Sequence, residues 1–360
     1  MERKRMNHID LLKTIAVIFV LLYHSTLYSY DFLFEHNVVN YLRYFLRTIL
    51  STCVPLFFFA NGYLLFSRDF NLRKHIFKTI RLILLTVIWG IITVLILQII
   101  RKEYFSVIDF IKVVWTWKNG WINHLWYMGA LVCIYVFFPL LKFVFDGNKK
   151  IFYYFTIITA LLTFGNTMLN HMLTACLSCI SRELNAVKEA NFFNMFNPYS
   201  GIRGYSFVYF CMGGVIYYFQ DKIVAIPAKK RNIISALGIL LSCLGLFVLG
   251  VFFSKATGGI WDVVWSGYDT IFTFLNVIFI YFLCINLKSD KRIFRIISSN
   301  SMGIYFVHRI ITWIMKPGLI QYDFSRNFLF NIVFVIIILI ASLIVCFIIK
   351  KVPVVSKLLK

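Results

Sequence analysis

Long apolar runs, separated by short polar and basic stretches, recur along the whole sequence. A helix needs about 20 apolar residues to cross the roughly 30 Å hydrocarbon core of a bilayer, and about ten of these runs reach that length. We predict spans at 8–28, 44–66, 76–99, 125–144, 151–169, 204–220, 232–252, 268–287, 293–315 and 328–349. The pattern therefore predicts an all-α polytopic membrane protein, with about ten transmembrane helices in one domain over residues 1–360.

Composition agrees with a membrane location. The chain is 60% hydrophobic and 14% charged, whereas soluble proteins are about 45–50% apolar and about 25% charged. A net charge of +22 would suit a nucleic-acid partner only if the basic residues shared one soluble face. Instead most of them fall in alternate connecting segments, which predicts both termini on the cytoplasmic side of the plasma membrane. We expect no nucleic-acid partner.

The first predicted span, HIDLLKTIAVIFVLLYHS, carries Lys13 and His24 within its apolar residues. Ionisable groups inside a span are costly and indicate function by default. Eleven residues separate the two, so they share one helix face and stand about 16 Å apart along the axis. This spacing indicates a site that is reached from both sides of the membrane.

Two further histidines are predicted at the depth of His24. His308 lies in NSMGIYFVHRI of the ninth span, one turn after Tyr305, and His124 lies at the outer mouth of the fourth span beside Trp126. A lone buried histidine is usually structural. Three at one level on different helices indicate a polar pocket with a base that titrates near neutral pH.

The densest basic cluster leads into the third span from the cytoplasmic side. Lys74, Lys78 and Arg81 follow an i, i+4, i+7 spacing and so form one helical stripe, with Arg73 beside it. Ordinary positive-inside anchoring explains much of this cluster. The functional alternative is a phosphate-binding patch, for which arginine suits bidentate contacts.

The second span carries Arg43 and Arg47 at its outer end. These arginines either extend to lipid headgroups or bind an anion. Pro55 and the pair Asn61-Gly62 are predicted to interrupt the helix where its backbone lines a cavity.

Two external stretches are long enough to hold structure. Residues 100–124 are amphipathic and rich in tryptophan, which favours an interfacial helix over a direct substrate role. Residues 170–203 are predicted to form a cap.

The cysteines are scattered along the sequence and indicate no disulfide framework. The lone Cys176-x-x-Cys179 pair is only a weak signal for a metal site, and we expect no metal.

Several of these motifs resemble the acyltransferase 3 family of integral membrane acyltransferases. The resemblance is carried by IDLLKTIAVIFVLLYH, PLFFFANGYLLF, HLWYMGALVCIYVFFPLL, YFCMGGVIYY and NSMGIYFVH, in that order over nearly the whole chain. The family usually has Arg where this chain has Lys13, and lysine keeps the charge but loses the planar fork.

The resemblance implies transfer of an acyl group, typically acetyl, from cytoplasmic acetyl-CoA to a hydroxyl of a bacterial surface glycan or lipid-linked sugar. Acyl-CoA would be a co-substrate, and the partners would be membrane lipid and the glycan acceptor, with any homo-oligomer left open. In the matching hypothesis His24 is the general base, and Lys13 and His308 complete the catalytic group. The remaining expected site residues are Arg73, Lys78, Arg81 and Lys13 for the CoA moiety, and Asn61, His124, Trp126, Tyr127, Tyr305, Arg43 and Arg47 for the acceptor.

Two rival functions remain open from the sequence. Intramembrane Lys and His also suit a transporter or flippase for a glycan or small solute. A membrane module that serves a separate enzyme is the third alternative. Turnover of acetyl-CoA by the purified protein would distinguish an enzyme from a carrier.

Overall fold

The computed structural model describes residues 5–181, 204–286, 291–353 and 356, and all regular structure within these ranges is helical. The chain is therefore an all-α polytopic membrane protein. Its helices are α1 (Asn7–His24), α2 (Phe32–Glu35), α3 (Val38–Thr48), α4 (Cys53–Phe66), α5 (Leu72–Arg101), α6 (Val107–Thr116), α7 (Trp126–Gly147), α8 (Lys149–Ala160), α9 (Asn166–Ser181), α10 (Tyr205–Tyr218), α11 (Gln220–Ala225), α12 (Ala228–Thr257), α13 (Ile271–Asn286), α14 (Arg292–Leu319) and α15 (Phe328–Lys351).

Short irregular turns join some of these helices into longer rods. A 3₁₀ turn, Ile49–Thr52, connects α3 to α4, and a π-helical turn, Leu161–Gly165, connects α8 to α9. Asparagine side chains begin several rods: Asn71 accepts the Lys74 backbone N–H at 2.9 Å and so caps α5. Lys102 ends α5 in the left-handed region, with φ of 56°.

Seven helical rods in the described ranges are long and apolar enough to cross a membrane. They are Asn7–His24, Val38–Phe66, Leu72–Arg101, Asn123–Gly147, Lys149–Ser178, Ala228–Thr257 and Phe328–Lys351. The fifth rod, Lys149–Ser178, continues past residue 169, where the hydropathy pattern predicted its end. The π turn Leu161–Gly165 joins α8 to α9 in one continuous helix.

The other three predicted spans are helical too, but they differ from the first seven. Helices α10 and α13 contain 14 and 16 residues, about 21 and 24 Å, and are shorter than the hydrocarbon core. Helix α14 is long enough at 28 residues, but it is less apolar than the seven spans and is not one of them. The number of crossings and the side of the termini stay predictions.

The described residues group into two compact units. The first contains residues within Met1–Leu12, Ser29–Arg68 and Phe143–Asp290. Here α4 and α10 pack with backbones in close contact: a Cβ added at Gly62 would lie 1.9 Å from the Phe210 carbonyl oxygen. Glycine is needed at that position because no side chain fits between the two backbones.

The structure corrects the predicted position of the interruption in the second span, which lies at the 3₁₀ turn Ile49–Thr52 and not at Asn61-Gly62. Helix α4 runs unbroken through Asn61 and Gly62, and Pro55 lies in its first turn, where proline is tolerated. The Asn-Gly pair serves helix packing and does not break the helix.

The second unit contains residues within Lys13–Tyr28, Asp69–Lys142 and Lys291–Lys360. Helix α14 packs here against α5, with the Trp89 indole stacked on Phe306 at 5.3 Å between ring centroids. The Asn331 side chain of α15 donates to the Ser25 carbonyl oxygen at 2.7 Å, just after α1 ends. These contacts hold the middle of α5 on α14 and the start of α15 beside the end of α1.

The structure supports an interfacial helix within residues 100–124 and describes only part of residues 170–203. Helix α6 exposes an apolar face, with Val107, Ile108, Ile111 and Trp115 all exposed, as an interfacial helix requires. Of the predicted cap over residues 170–203, the part up to Ser181 is helical, and residues 182–203 lie outside the described ranges.

Candidate functional site

Three histidines from three helical segments of the second unit meet. His24 is the last residue of α1, His124 lies in the 3₁₀ turn Asn123–Leu125 just before α7, and His308 lies within α14. The ring centroids of His24 and His308 are 5.4 Å apart, and those of His124 and His308 are 5.7 Å apart. We call these three side chains the histidine cluster.

His308 occupies the centre of the histidine cluster and is fully buried. Its Nδ1 lies 3.0 Å from the backbone carbonyl oxygen of Ile304. A carbonyl oxygen only accepts, so Nδ1 carries the proton and the lone pair of the neutral ring is on Nε2. Nε2 is buried and has no hydrogen-bond partner among the described residues. His308 thus presents an oriented, unengaged basic nitrogen.

His24 has the opposite arrangement. The Arg309 Nη1 lies 3.4 Å from its Nδ1, and a guanidinium can only donate. Nδ1 is therefore the acceptor, and the proton of the neutral ring is on Nε2. The other Arg309 amino group donates to the Gly120 carbonyl oxygen at 2.9 Å, which holds the guanidinium in place.

Arg309 is a residue that the sequence analysis missed as part of the site. It directly follows His308 in the ninth predicted span. An arginine inside an apolar segment beside a candidate base was the available signal.

Two tyrosines, Tyr127 and Tyr305, lie beside His124. The Tyr305 hydroxyl donates to the His124 backbone carbonyl oxygen, and the Tyr127 and Tyr305 rings are 5.4 Å apart. The His124 side chain is 3% exposed, and neither ring nitrogen has a partner in the described part of the chain. Trp126, the first residue of α7, is half-buried. Aromatic faces and unpaired imidazole nitrogens therefore lie together among the described residues.

Lys13 lies against α14 at a different level. Its ammonium donates to the Ser298 carbonyl oxygen at 2.9 Å. The Lys13–Ser298 and His24–His308 contacts follow the same order along both helices, so α1 and α14 run in the same direction. The predicted separation of about 16 Å between Lys13 and His24 thus also lies along α14.

The predicted phosphate patch lies at the start of α5. Arg73 and Lys78 are exposed and Arg81 is half-buried. The Lys78 ammonium is 5.0 Å from the Tyr135 ring centroid, and buried His75 contacts the Tyr135 carbonyl oxygen at 2.7 Å. These contacts fix the first turns of α5 on α7, with the Arg73 and Lys78 side chains exposed.

The contacts of α5 with α14 give the distance from the phosphate patch to the histidine cluster. Eight residues separate Arg81 from Trp89, which stacks on Phe306, two residues before His308. At 1.5 Å per residue, Arg81 is therefore about 12 Å along α5 from the level of Phe306 and about 15 Å from the level of His308. A flexible arm of that length would join a phosphate on the patch to the histidine cluster.

The three remaining predicted residues belong to the first unit, and their described contacts stay within it. Asn61 donates to the Phe57 carbonyl oxygen of its own helix at 2.9 Å. Arg43 donates to the Ser29 carbonyl oxygen at 3.0 Å.

Of the two alternatives left open for Arg47, its burial excludes extension to lipid headgroups. It is 2% exposed, its Nη2 lies 3.9 Å from an Asp262 carboxylate oxygen, and its guanidinium lies 3.9 Å from the Tyr30 ring centroid. Asp262 lies more than 200 residues further along the chain, so a single sequence gives no sign of this pair.

Among the described residues, no group of three or more His, Cys, Asp or Glu side chains is arranged to hold a metal ion. A family model described as an acyltransferase domain matches residues 6–351. No curated protein and no solved structure matches the chain.

Proposed function

The chain belongs to the acyltransferase 3 family of membrane acyltransferases. We propose the following acyl group, donor and acceptor for its reaction. The acyl group, in the simplest case acetyl, passes from cytoplasmic acyl-CoA to a hydroxyl of a bacterial surface glycan or a lipid-linked sugar. The protein acts in the plasma membrane with both termini cytoplasmic. The observation that carries this proposal is the unengaged, buried Nε2 of His308 within the histidine cluster.

His308 acts as the general base. Acyl transfer to a hydroxyl needs a nitrogen lone pair aimed at the O–H and a fixed ring behind it. The hydrogen bond from Nδ1 to the Ile304 carbonyl oxygen supplies the fixed ring, and Nε2 supplies the lone pair. This assignment differs from the sequence-based hypothesis, which gave the role of base to His24.

His24 acts as a hydrogen-bond donor. Arg309 faces its Nδ1, so the N–H at Nε2 is available to the thioester carbonyl oxygen. Negative charge develops on that oxygen as the carbonyl carbon becomes tetrahedral, and a preorganised donor stabilises it. In this arrangement His308 is the base and His24 is the hydrogen-bond donor.

The reaction balances without any further reagent. The acceptor hydroxyl oxygen attacks the thioester carbonyl carbon while His308 Nε2 takes the hydroxyl proton. The C–S bond then breaks, the acyl ester forms, and the thiolate leaves with the proton returned by the imidazolium. The products are the acylated acceptor and free CoA.

The donor enters from the cytoplasmic end. The CoA phosphates contact Arg73, Lys78 and Arg81, which suit phosphate by charge and geometry. The pantetheine arm spans the distance of about 15 Å from Arg81 to the level of His308, passing the ammonium of Lys13. The thioester then reaches the histidine cluster while its phosphates remain in water.

The acceptor enters from the opposite end. Tyr127, Tyr305 and Trp126 provide aromatic surfaces on which sugar rings stack, and His124 supplies ring nitrogens for sugar hydroxyls. Asn61, Arg43 and Arg47 are not included in this acceptor site, because their contacts in the first unit already account for them.

Reconstituted protein tests this function. Protein in nanodiscs is incubated with radiolabelled acetyl-CoA and a cell-envelope glycan fraction, and both glycan label and released CoA are measured. We expect equal amounts of each with the wild type, none with His308→Ala, and the wild-type rate with His36→Asn, an exposed histidine outside the cluster. Glycan movement across the membrane without release of CoA would instead identify a carrier and overturn the proposal.

A further inference from the structure

We propose that Arg101 and Arg309, both placed on the ring of Trp313, form a binding site for an anionic group of the acceptor. The group is a phosphate or a carboxylate, so the acceptor is an anionic glycan. The inference rests on the proposed function and narrows its substrate class.

The geometry is that of two guanidiniums sharing one indole. The guanidinium carbon of Arg101 is 5.1 Å from the Trp313 ring centroid, and that of Arg309 is 5.6 Å from the same centroid. Arg101 is the last residue of α5, and the other two residues stand one turn apart on α14. Both arginines are half-buried.

Charge is unbalanced at this position. An arginine is always protonated, and two like charges near one ring repel each other more strongly at low dielectric than in water. Within the described residues, no carboxylate forms an ion pair with Arg101 or Arg309. Lys316, one turn beyond Trp313 on α14, adds a third cation, whose ammonium donates to the Thr26 carbonyl oxygen at 2.8 Å.

Three buried N–H groups here also have no acceptor among the described residues. They are Nε of Arg101, Nε of Arg309 and Nε1 of Trp313. Buried donors are nearly always paired in folded proteins, so three together indicate an absent acceptor. An oxyanion supplies both the missing acceptors and the missing negative charge, and arginine forks suit its geometry.

The position of this site relates it to the reaction. Arg309 touches His24, and His24 lies 5.4 Å from His308 between ring centroids. An anion on the two arginines would place the next hydroxyls of the same molecule near the His308 base. The site therefore selects acceptors whose acylated hydroxyl lies close to a phosphodiester or a uronic acid.

Binding of small probes to the whole protein tests the inference without acyl-CoA. In phosphatidylcholine nanodiscs, glycerol 1-phosphate and glucuronate should raise the melting temperature progressively as their concentration exceeds Kd, because a ligand that binds only the folded state stabilises it. Glycerol and glucose should not. The double variant Arg101→Gln with Arg309→Gln should weaken binding at least tenfold.

Matched variants separate this site from general charge effects. Lys112→Gln with Lys118→Gln also removes two positive charges, from exposed positions, and should keep the wild-type affinity. If the double glutamine variant does not fold, Arg101→Lys with Arg309→Lys keeps the charges, loses the forks, and should bind more weakly than wild type. Equal affinity for glycerol and glycerol 1-phosphate, or undiminished binding by the folded arginine variants, would overturn the inference.

Two further outcomes have distinct meanings. Phosphatidylglycerol added to the nanodiscs should leave the affinity for glycerol 1-phosphate unchanged; competition would show that the site holds a lipid headgroup and would overturn the acceptor assignment. Failure of acyl transfer would remove the proposed function but not anion binding. Efficient transfer to neutral glycans alone would remove this inference and leave acyl transfer standing.

Discussion

The imidazole rings of His24 and His308 lie 5.4 Å apart, and their hydrogen-bond partners place the ring proton on opposite nitrogens. Arg309 faces Nδ1 of His24, whereas Nδ1 of His308 faces a backbone carbonyl oxygen. One ring therefore offers a donor and the other a lone pair. Both properties are needed at once when a hydroxyl attacks a thioester.

The donor role of His24 predicts an order among its variants. Glutamine places an N–H close to the position of histidine Nε2, whereas alanine has none. We expect His24→Ala to lower the rate of acyl transfer by about 10²–10³, the usual cost of removing one oxyanion donor, and His24→Gln to retain at least ten times the alanine rate. Equal rates for the two variants, measured at saturating donor, would contradict the donor role.

Lys13 is predicted to act on the donor. Its ammonium contacts the Ser298 carbonyl oxygen, about 16 Å from His24 along α1, on the path assigned to the pantetheine arm. We expect Lys13→Met to raise the KM for acetyl-CoA about tenfold, since a hydrogen bond from a charged group contributes about 1.5–3 kcal/mol. Lys13→Arg should stay near the wild-type KM. A lower kcat with an unchanged KM for Lys13→Met would show that this assignment is wrong.

The basic patch at the start of α5 gives a parallel prediction. Lys78→Gln with Arg81→Gln should raise the KM for acetyl-CoA and leave kcat nearly unchanged, because in the proposed reaction the CoA phosphates would lie far from the reacting atoms. Lys229→Gln with Lys230→Gln is the matched control, since both lysines are exposed and are predicted on the same side. The same KM in both double variants would leave the patch with a topological role only.

The packing of α4 on α10 predicts that a substitution at Gly62 lowers the stability of the protein and does not act through the reaction. A Cβ at Gly62 would lie 1.9 Å from the Phe210 carbonyl oxygen, and backbone cannot move aside as a flexible side chain can. We expect Gly62→Ala to destabilise the protein by at least the 1–3 kcal/mol that is typical of overpacking. Gly147→Ala, where an added Cβ meets nothing within 4 Å, should be nearly neutral. Thermal unfolding in detergent measures both, and a wild-type melting temperature for Gly62→Ala would refute the close contact.

Hydropathy predicted the helices of this fold well because apolar length is a local property of the sequence. Every predicted span coincides with a helix in the described residues. The ends were less accurate, as in the extension of α8 through Leu161–Gly165 into α9. A π turn depends on tertiary packing and leaves no clear periodicity in the sequence.

The histidine cluster was predictable from depth, since His24 and His308 lie at similar distances from the starts of their spans, and His124 lies at the outer mouth of the fourth span. The partners that orient the rings were not predictable. The Ile304 carbonyl oxygen and the guanidinium of Arg309 act through geometry, and Arg309 was indistinguishable from an outer topological charge. Likewise, nothing local to Arg47 indicated its ion pair with Asp262.

The most direct test of this account is the single-turnover rate of acyl transfer by His308→Gln in the nanodisc preparation that gives wild-type activity. Glutamine cannot act as a base, although it can still donate a hydrogen bond. The account predicts a fall of at least 10²-fold with donor and acceptor binding retained. Transfer at the wild-type rate by His308→Gln would contradict it.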